Sequence, residues 1–322
     1  MAKWRSFILV SIFISASLSG CLSDKTTPVG ENQTNSEYRT LVTSEGDERE
    51  FIVTVPDSVN ESNSVPVVIV IHGTNSSGQI FHDNPNFWIP KAEQEGFIVV
   101  HPTALVHCHI DNGNEKTVTK WSFGDLGQND TEMGGLPLCE GQTLANDLEF
   151  FDMMVDILKT EYPVDENRIY VTGNSNGAGM GLRLAAERSD VFAAVAVNAG
   201  AQSLFIEKPD DSRPISILFT VGAKDHLLAN MGLSVPLVIN ESLINDLSPL
   251  IQPLLTLHSL GNASDYIYTE TTYQSRLTGQ YLFENNSNGN SLRFTVIEGL
   301  GHPYNPDLVP VFWNYFSTHS LN

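Results

Sequence analysis

The chain has 322 residues, with 17 Lys and Arg against 38 Asp and Glu, and a formal net charge of −21. That balance argues against nucleic acid as a partner, because phosphate binding rests on clustered cations. Once the N-terminal segment is set aside, the length suits one large α/β domain, and no internal repeat or later linker divides it.

At the N-terminus, Lys3 and Arg5 precede an apolar run from Phe7 to Leu18, which leads into Leu18-Ser19-Gly20-Cys21. A short positive region, an apolar stretch too short for a membrane span and small residues before a cysteine make a lipoprotein signal. Cys21 is the expected lipidation site, and the membrane is a partner only through that lipidated end. An ordinary signal peptide or an uncleaved anchor is the alternative, and it leads to the same side of the membrane. Residues 1–21 are therefore set aside as signal. Residues 22–37, rich in Thr, Asn, Ser and Glu, are read as a flexible tether, and 38–322 as the folded domain.

Strand-like runs follow at 50–55, 67–71, 97–101, 168–172, 193–197, 215–221 and 293–298. The second, Val67-Val68-Ile69-Val70-Ile71, is continuously apolar and predicts a parallel strand buried on both faces. Between 143 and 158, Leu144, Leu148, Phe151, Val155 and Leu158 recur at helical spacing behind Thr143 as a cap, so this stripe faces the core. Asp147 near that helix start reads as structural. Strands alternating with helices imply an α/β fold: a mostly parallel central sheet with helices on both faces and its site at the carboxyl ends of the strands.

Two stretches break the pattern. Residues 103–141 have no clear period and hold Cys108 and Cys139. With Cys21 taken by lipid, these two are the remaining pair, and outside the cytoplasm they can form a disulfide. Metal binding by His107, Cys108 and His109 is the rival. Adjacent residues rarely face one ion, and no second cluster completes a tetrahedral set, so no metal is expected. Residues 227–280 form the second stretch, with an apolar, partly helical part at 237–260 punctuated by Pro249 and Pro253.

The most informative motif is Gly173-Asn174-Ser175-Asn176-Gly177, a G-x-S-x-G pattern between a strand-like and a helix-like run. A sharp strand-to-helix turn of this kind lifts a serine Oγ above the sheet edge. Downstream, Asp225 follows the 215–221 strand and His302 follows the 293–298 strand on Gly299-Leu300-Gly301. The order Ser, acid, His is that of a nucleophile, its orienting acid and its base. Serine is a weak nucleophile at its own pKa, so His302 must take its proton. The loop after the 67–71 strand, His72-Gly73-Thr74, offers backbone donors. The Thr74 and Asn176 amides are the expected oxyanion hole, and His72 is read as structural.

Several segments carry a resemblance to a known family. They are 146–150, 162–178 with the Ser175 turn, 187–196, the His72-Gly73 strand end and 95–102. Together they resemble the extracellular polyhydroxybutyrate depolymerase and feruloyl esterase family of α/β-hydrolases. Asn174 stands where that family often has a larger apolar residue. The resemblance implies a serine ester hydrolase without metal or organic cofactor, and Trp121 in the Trp121-Ser122-Phe123-Gly124 segment as the aromatic lining the substrate groove or its lid, with simple core packing as the alternative. The expectation is an envelope-anchored or secreted enzyme acting on a polyester or oligoester of hydroxyalkanoate type. Feruloyl or acetyl esters on polysaccharide come next. A serine peptidase of the same fold and an inactive polymer-binding lipoprotein are the rivals.

Overall fold

The computed structural model describes residues 35–60, 62–285, 287 and 289–321. The signal segment, the Cys21 lipidation site and residues 22–34 of the expected tether lie outside the described residues. In chain order the first strands are β1 (Asn35–Val42), β2 (Glu48–Val55), β3 (Val65–Ile71), β4 (Ile98–Pro102), β5 (Val106–Asp111) and β6 (Asn114–Thr119). They are followed by β7 (Val164–Asn174), β8 (Ala194–Asn198), β9 (Ser216–Gly222), β10 (Ile267–Tyr273), β11 (Arg276–Glu284) and β12 (Ser291–Ile297). The helices are α1 (Gly78–His82), α2 (Trp88–Glu95), α3 (Asp147–Glu161), α4 (Asn176–Glu187), α5 (Leu243–Asp246), α6 (Ser248–Leu257) and α7 (Leu308–Phe316). Among the described residues no helix is long and apolar enough to cross a membrane.

Ten strands form one sheet in the order β1-β2-β4-β3-β7-β8-β9-β12-β11-β10. The six from β4 to β12 run parallel, and antiparallel strands close both edges. Side chains alternate across a strand, so a run that is apolar at every position fills two cores. Val67, Ile69 and Ile71 of β3 enter one cluster, with Phe150, Met154 and Leu158 of α3. Val68 and Val70 enter the other, with Trp88, Phe97, Phe312 and Phe316. There the Phe97 and Trp313 rings stack with centroids 4.1 Å apart.

The structure corrects several expected boundaries. Residues 35–37, assigned to the tether, are paired in β1, whose mostly exposed side chains give no apolar signal. Helix α3 starts later than expected: Asn146, not Thr143, caps it, its side chain accepting from the Glu149 amide at 3.2 Å. The 103–141 stretch contains the β5–β6 hairpin, turned by Asn112 and Gly113 at φ 50° and 75°. Cys108 in this hairpin is bonded to Cys139 across 31 residues, a closure worth about 3–4 kcal/mol in the chain-entropy model. The 227–280 stretch contains α5 and α6, and also the exposed edge strand β10 and the first part of its partner β11.

Buried histidines make this fold acid-sensitive. Burial pushes His101 on β4 and His258 at the end of α6 each down to about 3, and neither ring has a hydrogen-bond partner among the described residues. His72 is pushed down to about 4, again chiefly by burial. Each folded-state value lies below the ordinary 6.5, so below that pH the unfolded chain binds the extra protons. Stability is then fully present above pH 6.5 and falls toward pH 4, by about 1 kcal/mol per pH unit for each histidine. Thermal unfolding followed from pH 7 to 5 should show the midpoint already dropping between 6.5 and 5.5, above the range where ordinary carboxylates titrate. A flat midpoint over that interval would show that these rings are not buried neutral.

Candidate active site

Strand β7 ends at Asn174 and α4 begins at Asn176, so Ser175 alone makes the turn, at φ 56° and ψ −120°. That left-handed backbone is strained for a residue with a Cβ and is held by its surroundings. The Ser175 amide donates to the Asn198 carbonyl at 3.0 Å, and a Cβ on Gly177 would collide with the Ile71 and His72 carbonyls. Beneath the turn, Asn198 donates to Asn174 at 2.6 Å and accepts from the Thr220 hydroxyl at 3.0 Å. This chain of polar side chains crosses three strands, and it accounts for the polar residue before Ser175.

Asp225 follows β9 and His302 follows β12, and the two loops are tied by the Lys224 amide donating to the Leu300 carbonyl at 2.7 Å. A Cβ on Gly222 would strike the Leu300 carbonyl, so glycine allows this close approach. His302 Nδ1 lies 2.9 Å from Asp225 Oδ2, and His302 Nε2 lies 2.9 Å from Ser175 Oγ. Asp225 is buried, and its other oxygen accepts from the Leu227 amide at 2.9 Å. Burial raises the Asp225 carboxyl, but the N–H donors of His302 and Leu227 outweigh it, and the pKa lies below the ordinary carboxylate value. A carboxylate on Nδ1 fixes the proton there and leaves the Nε2 lone pair facing the hydroxyl. Such a chain can abstract the serine proton during attack and return it to a leaving group.

Ser175, His302, Thr74 and Asn176 line one cleft of about 280 Å³, with Phe123, Lys120, Leu228 and Leu250 among its other walls. Neither the Thr74 nor the Asn176 amide is hydrogen-bonded among the described residues, so both are free to donate to a ligand oxygen. The loop that carries Thr74 is fixed by the buried His72. Its Nδ1 sits 2.7 Å from the Gly73 carbonyl, and its Nε2 accepts from the Ala104 amide at 3.0 Å. With its pKa pushed down, the ring is neutral, Nδ1 carries the proton, and its position is structural.

Trp121 does not line the cleft. It is fully buried, its indole donates to the His72 carbonyl at 3.0 Å, and its ring stacks on Phe150. The Asn176 side chain grips the Trp121 backbone at both ends, accepting from its amide at 2.7 Å and donating to its carbonyl at 3.0 Å. Phe123 and Lys120, on either side of it in the chain, form the wall instead. The same loop is held by Asp147, which accepts from the Ser122 amide at 2.7 Å and pairs with the buried Arg49 at 2.7 Å. The guanidinium carbon of Arg49 lies 4.1 Å from the centroid of the Phe150 ring. Arg49 and Asp147 are 98 residues apart, and no local pattern announces their pairing. The rival metal ligand Cys108 has its sulfur committed to Cys139, so it offers no thiolate.

Residues 146–209, which include Ser175, match the family described as BAAT / Acyl-CoA thioester hydrolase C terminal. A poly(3-hydroxyalkanoate) depolymerase C of Paucimonas lemoignei is 28% identical over 137 residues, 42% of this chain and 28% of the relative. A feruloyl esterase D of Neurospora crassa is 26% identical over 205 residues, 60% of this chain and 57% of the relative. The chain thus spans less than two thirds of either curated relative. Among solved structures, an acetyl xylan esterase from Aspergillus awamori superposes with a TM-score of 0.53 at 17% identity, over 87% of this chain and 99% of that one. The chain thus has the α/β-hydrolase fold, and its sequence is similar to a polyhydroxyalkanoate depolymerase and a feruloyl esterase.

Proposed function

We propose that this protein is a serine carboxylic ester hydrolase working through an acyl-enzyme. Ser175 Oγ attacks the ester carbonyl, and His302 takes its proton and passes it to the departing alcohol. Water, activated by the same His302, then releases the acid. Asp225 holds the imidazole tautomer and stabilises the imidazolium, and the Thr74 and Asn176 amides receive the oxyanion. The unbroken relay Asp225–His302–Ser175, with both hydrogen bonds at 2.9 Å, carries this reading.

The Paucimonas relative and the apolar side chains of the cleft favour a polyester or oligoester such as polyhydroxyalkanoate as substrate. The Neurospora relative and the fungal structure favour feruloyl or acetyl esters as the second reading. We place the enzyme outside the cytoplasm, anchored through Cys21, on the strength of the N-terminal sequence. The purified protein should hydrolyse p-nitrophenyl butyrate at rates far above the buffer blank. Absence of turnover by folded protein would contradict an ester hydrolase.

A further inference from the structure

One cation stands in the wall of the catalytic cleft. Lys120 lies on the loop after β6 and lines the same cavity as Ser175, His302 and Thr74. Its ammonium pairs with Asp125 at 2.7 Å, with the two side chains only 12% and 9% exposed. It also sits 4.9 Å from the centroid of the Phe123 ring, another wall of the cleft. The loop is not free to carry this charge away. The Lys120 amide donates to the Leu105 carbonyl at 3.0 Å, and the Asn75 amide, next to the oxyanion donor Thr74, donates to the Thr119 carbonyl at 2.9 Å.

Much of the remaining wall is apolar: Val221, Leu227, Leu228, Met231 and Leu250 offer no hydrogen bond from their side chains. A nearly buried ion pair beside a nucleophile is costly to hold and adds little stability, so it calls for a role. An ammonium has three donors, and a single ion-pair partner, Asp125, leaves donors for a ligand. The carboxylate also cancels the charge locally, so the pair suits a neutral oxygen acceptor better than an anion, the more so in a chain of net charge −21.

We infer that the Lys120–Asp125 pair is an acceptor-recognition subsite, selecting esters that bear a second neutral oxygen, a hydroxyl or ester oxygen, close to the scissile bond. The inference rests on the ester hydrolase reading and adds to it the substrate feature the cleft distinguishes. A simple alkyl ester leaves the remaining ammonium donors unpaired in a drying cleft, whereas a hydroxyacyl ester satisfies one. Discrimination by a hydrogen-bonding site against an analogue lacking the partner is stronger than discrimination by shape alone.

The test uses an isosteric pair, methyl 3-hydroxybutyrate and methyl 3-methylbutyrate, in which a hydroxyl replaces a methyl. Hydrolysis is followed by acid release, which avoids a bulky chromogenic group. The protein should favour the hydroxy ester by about tenfold or more in kcat/KM, the scale of one hydrogen bond to a charged group. Lys120→Met should bring the ratio close to one. Because Lys120→Met strands Asp125, the double substitution Lys120→Met with Asp125→Asn is measured beside it and should give the same collapsed ratio. A ratio near one in the unsubstituted protein, or a ratio that survives in both variants, overturns the subsite while leaving the hydrolase reading intact. Hydrolysis of neither ester overturns both.

Discussion

Replacing Ser175 by alanine should lower kcat by about 10⁶-fold, the scale on which removal of a nucleophile acts when the rest of a triad remains. The expectation follows from the position of the hydroxyl. Ser175 Oγ lies 2.9 Å from His302 Nε2, and among the described residues the amides of Thr74 and Asn176 are unengaged. Alanine removes only that oxygen. The turn at φ 56° is as demanding for alanine as for serine, the Ser175 backbone bond to Asn198 remains possible, and the thermal midpoint should stay close to that of the unsubstituted protein. Initial rates on a soluble short-chain ester, measured together with thermal unfolding, check both halves. A variant that keeps more than about one hundredth of the activity would place the nucleophile elsewhere, since oxyanion donors and binding alone leave only a small residue.

The second large effect is expected at Asp225. Changing it to asparagine keeps the volume and an oxygen that can still accept from the Leu227 amide at the observed 2.9 Å. The change falls on the other side, where Oδ2 faces His302 Nδ1 at 2.9 Å. An amide NH₂ there donates instead of accepting, so Nδ1 must become the acceptor and the imidazole proton moves to Nε2. That nitrogen then points an N–H at Ser175 and cannot take its proton. The expected loss in kcat is about 10⁴-fold, the cost of the wrong tautomer in a Ser-His-Asp relay. Substrate affinity should change little. A loss below about tenfold would mean that Asp225 does not orient His302, and the acid of the relay would have to be sought elsewhere.

That Ser175, Asp225 and His302 come together at one sheet edge was legible because each is announced locally. A glycine-flanked serine between two periodic runs is a short-range pattern. The strands before Asp225 and His302 are largely buried, with Arg293 the one exposed side chain between them, and they read as mainly apolar runs interrupted by Ser, Thr and Arg293. What escaped notice lies at the edges and across the sheet. β1 and β10 are edge strands with mostly exposed side chains, Asn-Ser-Glu-Tyr-Arg-Thr-Leu-Val and Ile-Tyr-Thr-Glu-Thr-Thr-Tyr, so water leaves no periodic mark on them. The β5–β6 hairpin did carry a signal, since Asn112-Gly113 favours the tight turn it makes.

Trp121 shows the other limit. Whether an aromatic ring faces a cleft or the core depends on partners remote in sequence, here the His72 carbonyl and the Asn176 side chain, 49 and 55 residues away. The Asn174–Asn198–Thr220 chain beneath Ser175 is set by strand register in the same way. Lys120 belongs with these, because only the folded loop places it in the cavity that Ser175 also lines.

The central claim is that Ser175 is an activated nucleophile, and intact-mass measurement after treatment with a fluorophosphonate tests it most directly. The account predicts a single phosphonyl adduct on the purified protein, mapped to Ser175 and absent from Ser175→Ala. Folded protein that remains unmodified, or a Ser175→Ala variant that is modified to the same extent, would contradict it.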